Sequence, residues 1–198
     1  MKYKVMIVED QTMPRELFEL RVQASERFEL ALSIDNAALA DVYCLRFPVD
    51  LILMDVITRD GENGLDAAAR IKRAFPQIKI IIVTSMPECS YLKRAKEIGV
   101  ESFWYKEEQR ESLLDVMERT MNGESVYPGA SPELTLGMAS SYQFTERELD
   151  ILREITSGDT NQEIADRLNM SVATVKTHIL NMLEKTGFRN RTELAVRA

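Results

Sequence analysis

The sequence predicts two domains: a doubly wound α/β domain around a five-stranded parallel sheet, followed by a small all-α domain. The 198 residues suit one medium and one small domain. Over the first 122 residues, short apolar runs alternate with amphipathic segments, which is typical of a parallel sheet covered by helices. After residue 143 the apolar spacing is helical throughout.

The elements of the first domain follow from this alternation. Strands are predicted at 4–8, 30–34, 51–54, 78–83 and 102–105, and helices at 14–24, 37–47, 64–75, 88–98 and 109–121. The runs 51–54 and 80–83 are apolar on both faces, as expected of central strands covered on each side. We therefore assign residues 1–122 to the α/β domain.

A linker is predicted at 123–142, because Asn122-Gly123 suits a helix end and the following residues are rich in Gly, Pro and Ser. One short helical piece fits within it. Residues 143–198 form the all-α domain. Two of its short helices, 162–168 and 172–186, are separated by a tight turn, which is the helix-turn-helix pattern. The predicted N-caps in this domain are Thr145, Asn161, Ser171 and Asn190.

Composition limits the function classes. The net charge of −7 argues against nucleic-acid binding over the whole surface. The stretch 172–191 nevertheless carries Lys176, Lys185, Arg189 and Arg191 against Glu184 alone. This distribution indicates DNA binding by one element only.

The chain is expected to be cytoplasmic. It has no run of about 18 apolar residues, so no membrane association is predicted. Its N-terminus has the pattern of a strand that ends in acids, and lacks a signal-peptide cleavage site. Cys44 and Cys89 have no metal-ligand spacing and are interpreted as reduced thiols.

Polar residues end the predicted strands. Functional residues gather at the carboxyl ends of open parallel sheets, and here these ends carry Glu9, Asp10, Asp55, Thr84 and Lys106. Converging carboxylates repel one another unless a cation joins them, and Mg²⁺ suits such oxygen ligands. Each residue alone could be a cap or a surface charge, but their joint placement favours a site.

The set matches what phosphoryl transfer to a carboxylate requires: a metal to neutralise charge, a hydroxyl donor and an ammonium group. Asp55 would be the nucleophile, and Glu9 and Asp10 would hold Mg²⁺. Thr84 would donate its hydroxyl and Lys106 its ammonium to the phosphoryl oxygens.

This constellation resembles the receiver domain of two-component response regulators over residues 2–122. The resemblance is carried by Val8-Glu9-Asp10, Leu53-Met54-Asp55, Val83-Thr84-Ser85 and Phe103-Trp104-Tyr105-Lys106. It implies a flavodoxin-like fold, phosphorylation of Asp55 by a sensor histidine kinase, and a metal-binding backbone carbonyl at Ile57. It also implies that Phe103 and Thr84 form the switch, although Phe103 could be a simple core aromatic.

One loop departs from the family pattern. Relatives commonly carry Met-Pro three and four residues after the nucleophile and Gly eight after it. Here Thr58-Arg59 stand in those places and Gly64 lies nine after Asp55. The loop is one residue longer and contains Asp60, so the rate of phosphoryl loss and the choice of kinase could differ.

The second domain offers a candidate recognition helix, because an α-helix fits the DNA major groove. Lys176 and Thr177 are predicted to contact bases, and Lys185, Arg189 and Arg191 to contact phosphates. Outward positions on the helix are predicted at Thr174, Lys176, Thr177, Leu180, Asn181 and Lys185, and inward positions at Ala173, Val175, Ile179, Met182 and Leu183.

Residues 143–198 resemble the LuxR-type domain. The motifs are Phe144-Thr145-Glu146-Arg147-Glu148, Asn161-Gln162-Glu163-Ile164-Ala165, Thr174-Val175-Lys176-Thr177-His178 and Asn190-Arg191-Thr192-Glu193-Leu194. Together the two resemblances indicate a response regulator of the NarL/FixJ class. They imply promoter DNA as a partner, a homodimer on activation, and RNA polymerase as a further candidate partner. Base contacts are implied at Lys176, Thr177 and Leu180.

Three alternatives compete with this interpretation. A haloacid-dehalogenase-type phosphatase would have a second Asp two residues after the nucleophile, where this chain has Ile57. We therefore predict no enzyme beyond slow autodephosphorylation. A phosphorylation-independent regulator with a docking receiver is the main alternative, and the set Asp10, Asp55, Thr84 and Lys106 speaks against it. A small-molecule-sensing LuxR-type protein would match only after residue 143. Sequence does not decide whether the receiver promotes pairing or covers the recognition helix at rest.

Overall fold

The computed structural model describes residues 2–59, 63–85, 89–106, 111–129 and 135–198. The chain divides into two compact units, Met1–Ser131 and Pro132–Ala198. Asp60 and the predicted helix starts at Glu88 and Gln109 lie outside the described residues. Within the described ranges, no helix is long and apolar enough to cross a membrane.

The first unit is built on a five-stranded parallel sheet. Its strand order is β2-β1-β3-β4-β5, and every neighbouring pair is parallel. This is the flavodoxin-like order, so the predicted fold class is confirmed. The strands are β1 (Tyr3–Val8), β2 (Phe28–Ile34), β3 (Leu51–Met54), β4 (Lys79–Thr84) and β5 (Ser102–Tyr105).

Helices cover both faces of this sheet. Alternate strand residues enter opposite apolar clusters: Met6 and Ile52 lie in one, Ile7 and Leu53 in the other. The predicted helix 37–47 begins with a 3-10 turn, Ala37–Leu39, before it becomes α-helical. The helices are α1 (Thr12–Ala24), α2 (Ala40–Arg46), α3 (Gly64–Ala74), α4 (Cys89–Ile98) and α5 (Leu113–Met121).

The second unit is mainly helical. A hairpin of two antiparallel two-residue strands, β6 (Thr135–Leu136) and β7 (Ala139–Ser140), precedes a 3-10 turn at Ser141–Gln143. Its helices are α6 (Glu146–Thr156), α7 (Asn161–Arg167), α8 (Val172–Thr186) and α9 (Arg191–Arg197). One apolar core joins them, including Ile151, Ile164, Val175, Met182 and Leu194.

The caps of the second unit follow the sequence with one correction. The predicted caps Thr145, Ser171 and Asn190 each accept a backbone N–H of the following helix. Asn161 was predicted to cap α7, but Thr160 does so. The reason is the capping box: Glu163 lies three residues after Thr160 and reaches back to its N–H.

The segment predicted as a linker contributes to both units. Val126 and Tyr127 pack against the clusters of the first unit, and Leu136 and Ala139 against the core of the second. The predicted short helical piece corresponds to the 3-10 turn Ser141–Gln143, and the hairpin was not predicted. Single apolar residues in a Gly- and Pro-rich sequence give no periodic pattern, which explains why the hairpin and these packing contacts were not predicted.

Candidate functional sites

The predicted acidic cluster forms at the carboxyl edge of the sheet. Glu9 follows β1, Asp55 follows β3 and Lys106 follows β5. The Lys106 Nζ lies 2.6 Å from Glu9 Oε2 and 2.9 Å from Asp55 Oδ2. One ammonium group therefore bridges two carboxylates that are remote in sequence.

Backbone groups orient both carboxylates, which are almost fully buried. Glu9 is 1% and Asp55 6% exposed. The Val56 N–H donates to Asp55 Oδ1 at 2.7 Å, and the Gln11 N–H donates to Glu9 Oε1 at 3.2 Å. Oδ2 of Asp55 is left directed at Lys106.

The pKa values of the three groups respond to burial and to one another. Burial raises the pKa of Glu9, and the Asp55 charge raises it further, against the opposing effect of Lys106. Burial also raises the pKa of Asp55, although Lys106 opposes this. Burial alone would lower the pKa of Lys106, but Asp55 and Glu9 outweigh it and raise that pKa. A single ammonium group thus does not fully offset the buried carboxylates.

An additional cation would complete this balance. Oxygen atoms of Glu9, Asp10 and Asp55 all lie within 4.8 Å of one another, so the structure brings three predicted ligands together. A donor set of carboxylate oxygens suits a hard cation such as Mg²⁺. Ile57 pairs with Asn63 through a single antiparallel β-bridge. The role of the Ile57 carbonyl as a metal ligand stays a prediction.

The two predicted switch residues are both buried. Thr84 ends β4, and its carbonyl accepts the Lys106 N–H at 2.9 Å. The Phe103 ring lies 5.0 Å from that of Tyr105 and 6.4 Å from that of Tyr127, measured between centroids. Phe103 is thus a packed core aromatic here, and its movement stays a prediction.

The unusual loop after Asp55 is bonded to the loop after β2. The buried Thr58 hydroxyl accepts the Ala37 N–H at 3.0 Å. Arg59 forms an ion pair with Asp35 at 2.6 Å, and the Asn36 amide donates to the Arg59 carbonyl at 3.2 Å. The residues that replace the family's Met-Pro therefore fasten this loop through polar contacts.

Gly64 is required by a close backbone approach. A Cβ atom at this position would lie 1.8 Å from the Asp55 carbonyl oxygen. The Gly64 N–H also donates to the Val56 carbonyl at 2.7 Å. A side chain here would displace the segment that carries Asp55.

Helix α8 presents an exposed polar face. Val175, Ile179 and Met182 are buried, as predicted for the inward side. Ala173 was also predicted inward but is exposed, because it lies nearly opposite Val175 on the helical wheel. The exposed predicted contacts on α8 are Thr174, Lys176, Thr177, Leu180 and Asn181.

Lys185 is placed differently from the prediction. Its Nζ lies 2.6 Å from Glu148 Oε2 and 5.8 Å from the centroid of the Phe144 ring. Glu148 is 2% exposed and also accepts from the N–H and hydroxyl of Thr145. Lys185 therefore neutralises a buried carboxylate, and the expectation that it is free to bind DNA phosphate does not fit this placement.

Of the two predicted arginines, only one is exposed. Arg189 lies at the surface after α8. The Arg191 guanidinium is partly buried and donates to the Asp159 carbonyl, so it joins α9 to the loop before α7. The ion pair between Glu148 and Lys185 was not predicted, since the capping-box position of Glu148 was its only local signal.

Comparison with known families assigns both units. A model described as the response regulator receiver domain matches residues 5–118, and one described as bacterial regulatory proteins, luxR family, matches 142–198. This chain is a response regulator with a LuxR-type DNA-binding domain. The predicted NarL/FixJ-type organisation is confirmed, and the family is one of DNA-binding response regulators.

Individual relatives agree along the whole chain. The response regulator protein VraR of Staphylococcus epidermidis is 34% identical over 206 residues, covering 100% of this chain and 97% of the relative. VraR of Staphylococcus aureus is 33% identical with the same coverage.

Solved structures share the fold at low identity. RcsB from Salmonella enterica serovar Typhimurium, bound to promoter rprA with a phosphomimetic, has a TM-score of 0.57 and 21% identity, covering 98% of this chain and 96% of that one. A LuxR-family response regulator from Aurantimonas sp. has a TM-score of 0.60 and 20% identity, covering 67% of this chain and 91% of that one.

Proposed function

We propose that Asp55 accepts a phosphoryl group from a sensor histidine kinase and that this modification controls promoter binding by the second unit. The observation that carries the proposal is the position of Lys106, whose ammonium contacts both Glu9 and Asp55. A nucleophilic carboxylate beside a fixed ammonium and further acids is the arrangement that phosphoryl transfer needs.

In the proposed reaction, an Asp55 carboxylate oxygen attacks phosphorus. The bond from phosphorus to the donor's histidine nitrogen breaks, and an aspartyl phosphate forms. Glu9, Asp10, Asp55 and the Ile57 carbonyl would hold Mg²⁺, which would neutralise charge on the transferred group. Lys106 would then turn from carboxylate to phosphoryl oxygen.

Thr84 and Phe103 would report the modification. The Thr84 hydroxyl would bond a second phosphoryl oxygen, and the Phe103 ring would occupy the space that Thr84 leaves. Because Phe103 is packed between aromatic rings, its movement would be a change between two discrete packings.

On the DNA side, the exposed face of α8 would enter the major groove. Lys176 and Thr177 would contact base edges, helped by Thr174, Asn181 and an apolar contact from Leu180. Arg189 would bind phosphate. A homodimer formed on activation would bring two such helices to half-sites about 10 base pairs apart. RNA polymerase is a further candidate partner. The proposed cell compartment is the cytoplasm.

Phosphorylation is tested by incubating the protein with acetyl phosphate and Mg²⁺ and following intact mass. Wild type should gain one phosphoryl group, while Asp55→Ala should gain none. EDTA should abolish labelling, because an incoming dianion cannot otherwise approach this many carboxylates. Equal labelling of Asp55→Ala would contradict the assignment. Failure to label wild type would favour a receiver that acts only by docking.

A further inference from the structure

The first residues after α5 run along the open edge of the sheet. β5 is the last strand, so one of its edges has no neighbouring strand among the described residues. The Phe103 N–H donates to the Val126 carbonyl at 2.8 Å, and the Val126 N–H donates to the Ser102 hydroxyl at 3.1 Å. We call residues 124–127 the connector segment. It covers β5 in the manner of an added strand.

A buried hydroxyl pair fixes this attachment. The Ser102 Oγ lies 2.7 Å from the Thr120 Oγ1, and both residues are fully buried. The Thr120 hydroxyl also bonds the Val116 carbonyl within α5. The Ser102 hydroxyl thereby joins β5, α5 and the connector segment at one point.

Tyr127 brings the connector segment to the predicted switch residue. Its hydroxyl donates to the Val100 carbonyl at 2.7 Å, and its ring lies 6.4 Å from the Phe103 ring between centroids. Lys96 Nζ lies 5.1 Å from the centroid of the Tyr127 ring. Burial, aided by the Glu101 charge, raises the pKa of Tyr127, so its hydroxyl stays protonated and able to donate.

Phe103 therefore touches the connector segment twice, through its backbone N–H and through its ring. We propose that Tyr127 is a positioning residue of the switch and that the connector segment is the switch's output. When the Phe103 ring moves on phosphorylation, Tyr127 loses its packing partner and the segment leaves β5. The inference rests on the proposed function of Asp55.

Release would change the reach of the DNA-binding unit. Once released, the four residues of the connector segment would add up to about 14 Å of extended chain between the end of α5 and the DNA-binding unit. Linkage requires the reverse effect as well: weakening the docked segment must favour the phosphorylated packing of Phe103. The same contact therefore predicts both an output and a feedback on the receiver.

The test is hydrogen exchange on the full chain, with beryllofluoride and Mg²⁺ as the phosphoryl substitute. In wild type, the Val126 amide should exchange at least about tenfold faster after treatment, since it loses its bond to the Ser102 hydroxyl. In Tyr127→Ala the Val126 amide should exchange fast even without treatment, and treatment should raise its exchange rate less than about twofold. Tyr3→Ala is the matched control, because the Tyr3 ring packs against Phe28 in the other cluster, with 6.0 Å between the ring centroids.

The DNA readout separates a switch role from a merely structural one. Tyr127→Ala should reduce the gain in DNA affinity on treatment at least about fivefold, whereas Tyr3→Ala should retain the wild-type gain. Fluorine NMR reports whether beryllofluoride binds. Bound beryllofluoride with unchanged exchange of the Val126 amide, or a full affinity gain in Tyr127→Ala, would overturn the inference alone. Absence of binding in wild type would overturn the proposed phosphorylation site, and the inference with it.

Discussion

Replacing Lys185 by Met should destabilise the DNA-binding unit and leave its electrostatic contact with DNA unchanged. Met keeps the apolar stem of the side chain and removes its charge. The lost contact is the 2.6 Å ion pair to Glu148, whose side chain is 3% exposed while that of Lys185 is 30% exposed. Glu148 would stay buried, with only the two bonds from Thr145.

The size of the effect follows from these contacts. Removing one partner of a fully buried pair costs about 3–5 kcal/mol. Partial exposure of Lys185 and the remaining Thr145 bonds lower the cost, while loss of the cation–π contact with Phe144 adds about 0.5 kcal/mol. We expect a loss of about 2–3 kcal/mol in the free energy of unfolding of this unit.

The effect should depend on pH. Burial opposes ionisation of Glu148, but the bonds from Lys185 and Thr145 outweigh it and lower its pKa below 4.5. A carboxyl whose pKa is lowered in the folded state contributes stability above its unfolded pKa, and loses it as pH falls through the folded pKa. The difference between wild type and Lys185→Met should therefore be full near pH 7 and shrink below about pH 4.5.

Native-state hydrogen exchange measures this effect within the unit concerned. Amides of α6 and α8 should exchange roughly 30- to 150-fold faster in Lys185→Met, as about 1.36 kcal/mol corresponds to a factor of ten. Amides of β3 and β4 in the receiver are the internal control. Adding Glu148→Gln should recover part of the loss, because no uncompensated charge is then buried.

DNA binding supplies the contradicting result. The slope of log affinity against log salt should be the same for Lys185→Met and wild type, since Lys185 is occupied by Glu148. A slope smaller by about one unit, with unchanged exchange in α6 and α8, would mean that Lys185 binds a phosphate.

Three further changes have defined outcomes. Lys176→Ala should cost about 1–3 kcal/mol in discrimination between specific and random DNA in a competition assay, and equal losses on both would exclude base contact. Thr58→Val removes the acceptor of the buried Ala37 N–H, so the melting temperature should fall by an amount equivalent to about 1–3 kcal/mol, with Thr58→Ser close to wild type. Gly64→Ala places Cβ against the Asp55 carbonyl, so acetyl phosphate labelling should drop severalfold; wild-type labelling would show that the loop can relax.

The acidic site was predictable because the ends of parallel strands share one edge. Glu9, Asp55 and Lys106 each follow an apolar run, so the sheet topology alone brings them together. Their detailed contacts were not predictable: only the structure shows one ammonium bridging Glu9 and Asp55. Pairing depends on side-chain reach, which sequence spacing does not encode.

In the DNA-binding unit, the spacing of apolar residues predicted the buried helix face but not the contacts between distant residues. The buried side of α8 at Val175, Ile179 and Met182 followed from helical spacing. Lys185 has the same local pattern as a surface lysine, and its partner Glu148 lies 37 residues earlier. Tertiary contacts over such separations leave no local signal, and the docking of Tyr127 beside Phe103 was missed for the same reason.

The dependence of DNA affinity on Asp55 tests most directly whether phosphorylation controls this regulator. Promoter fragments recovered by genome-wide mapping of bound DNA would be titrated with wild type and with Asp55→Ala, each with and without acetyl phosphate and Mg²⁺. Phosphorylation should tighten binding of wild type at least about tenfold through pairing on two half-sites, and leave Asp55→Ala unchanged. Equal affinity of wild type in both conditions, with phosphorylation verified by mass, would contradict control of DNA binding by Asp55.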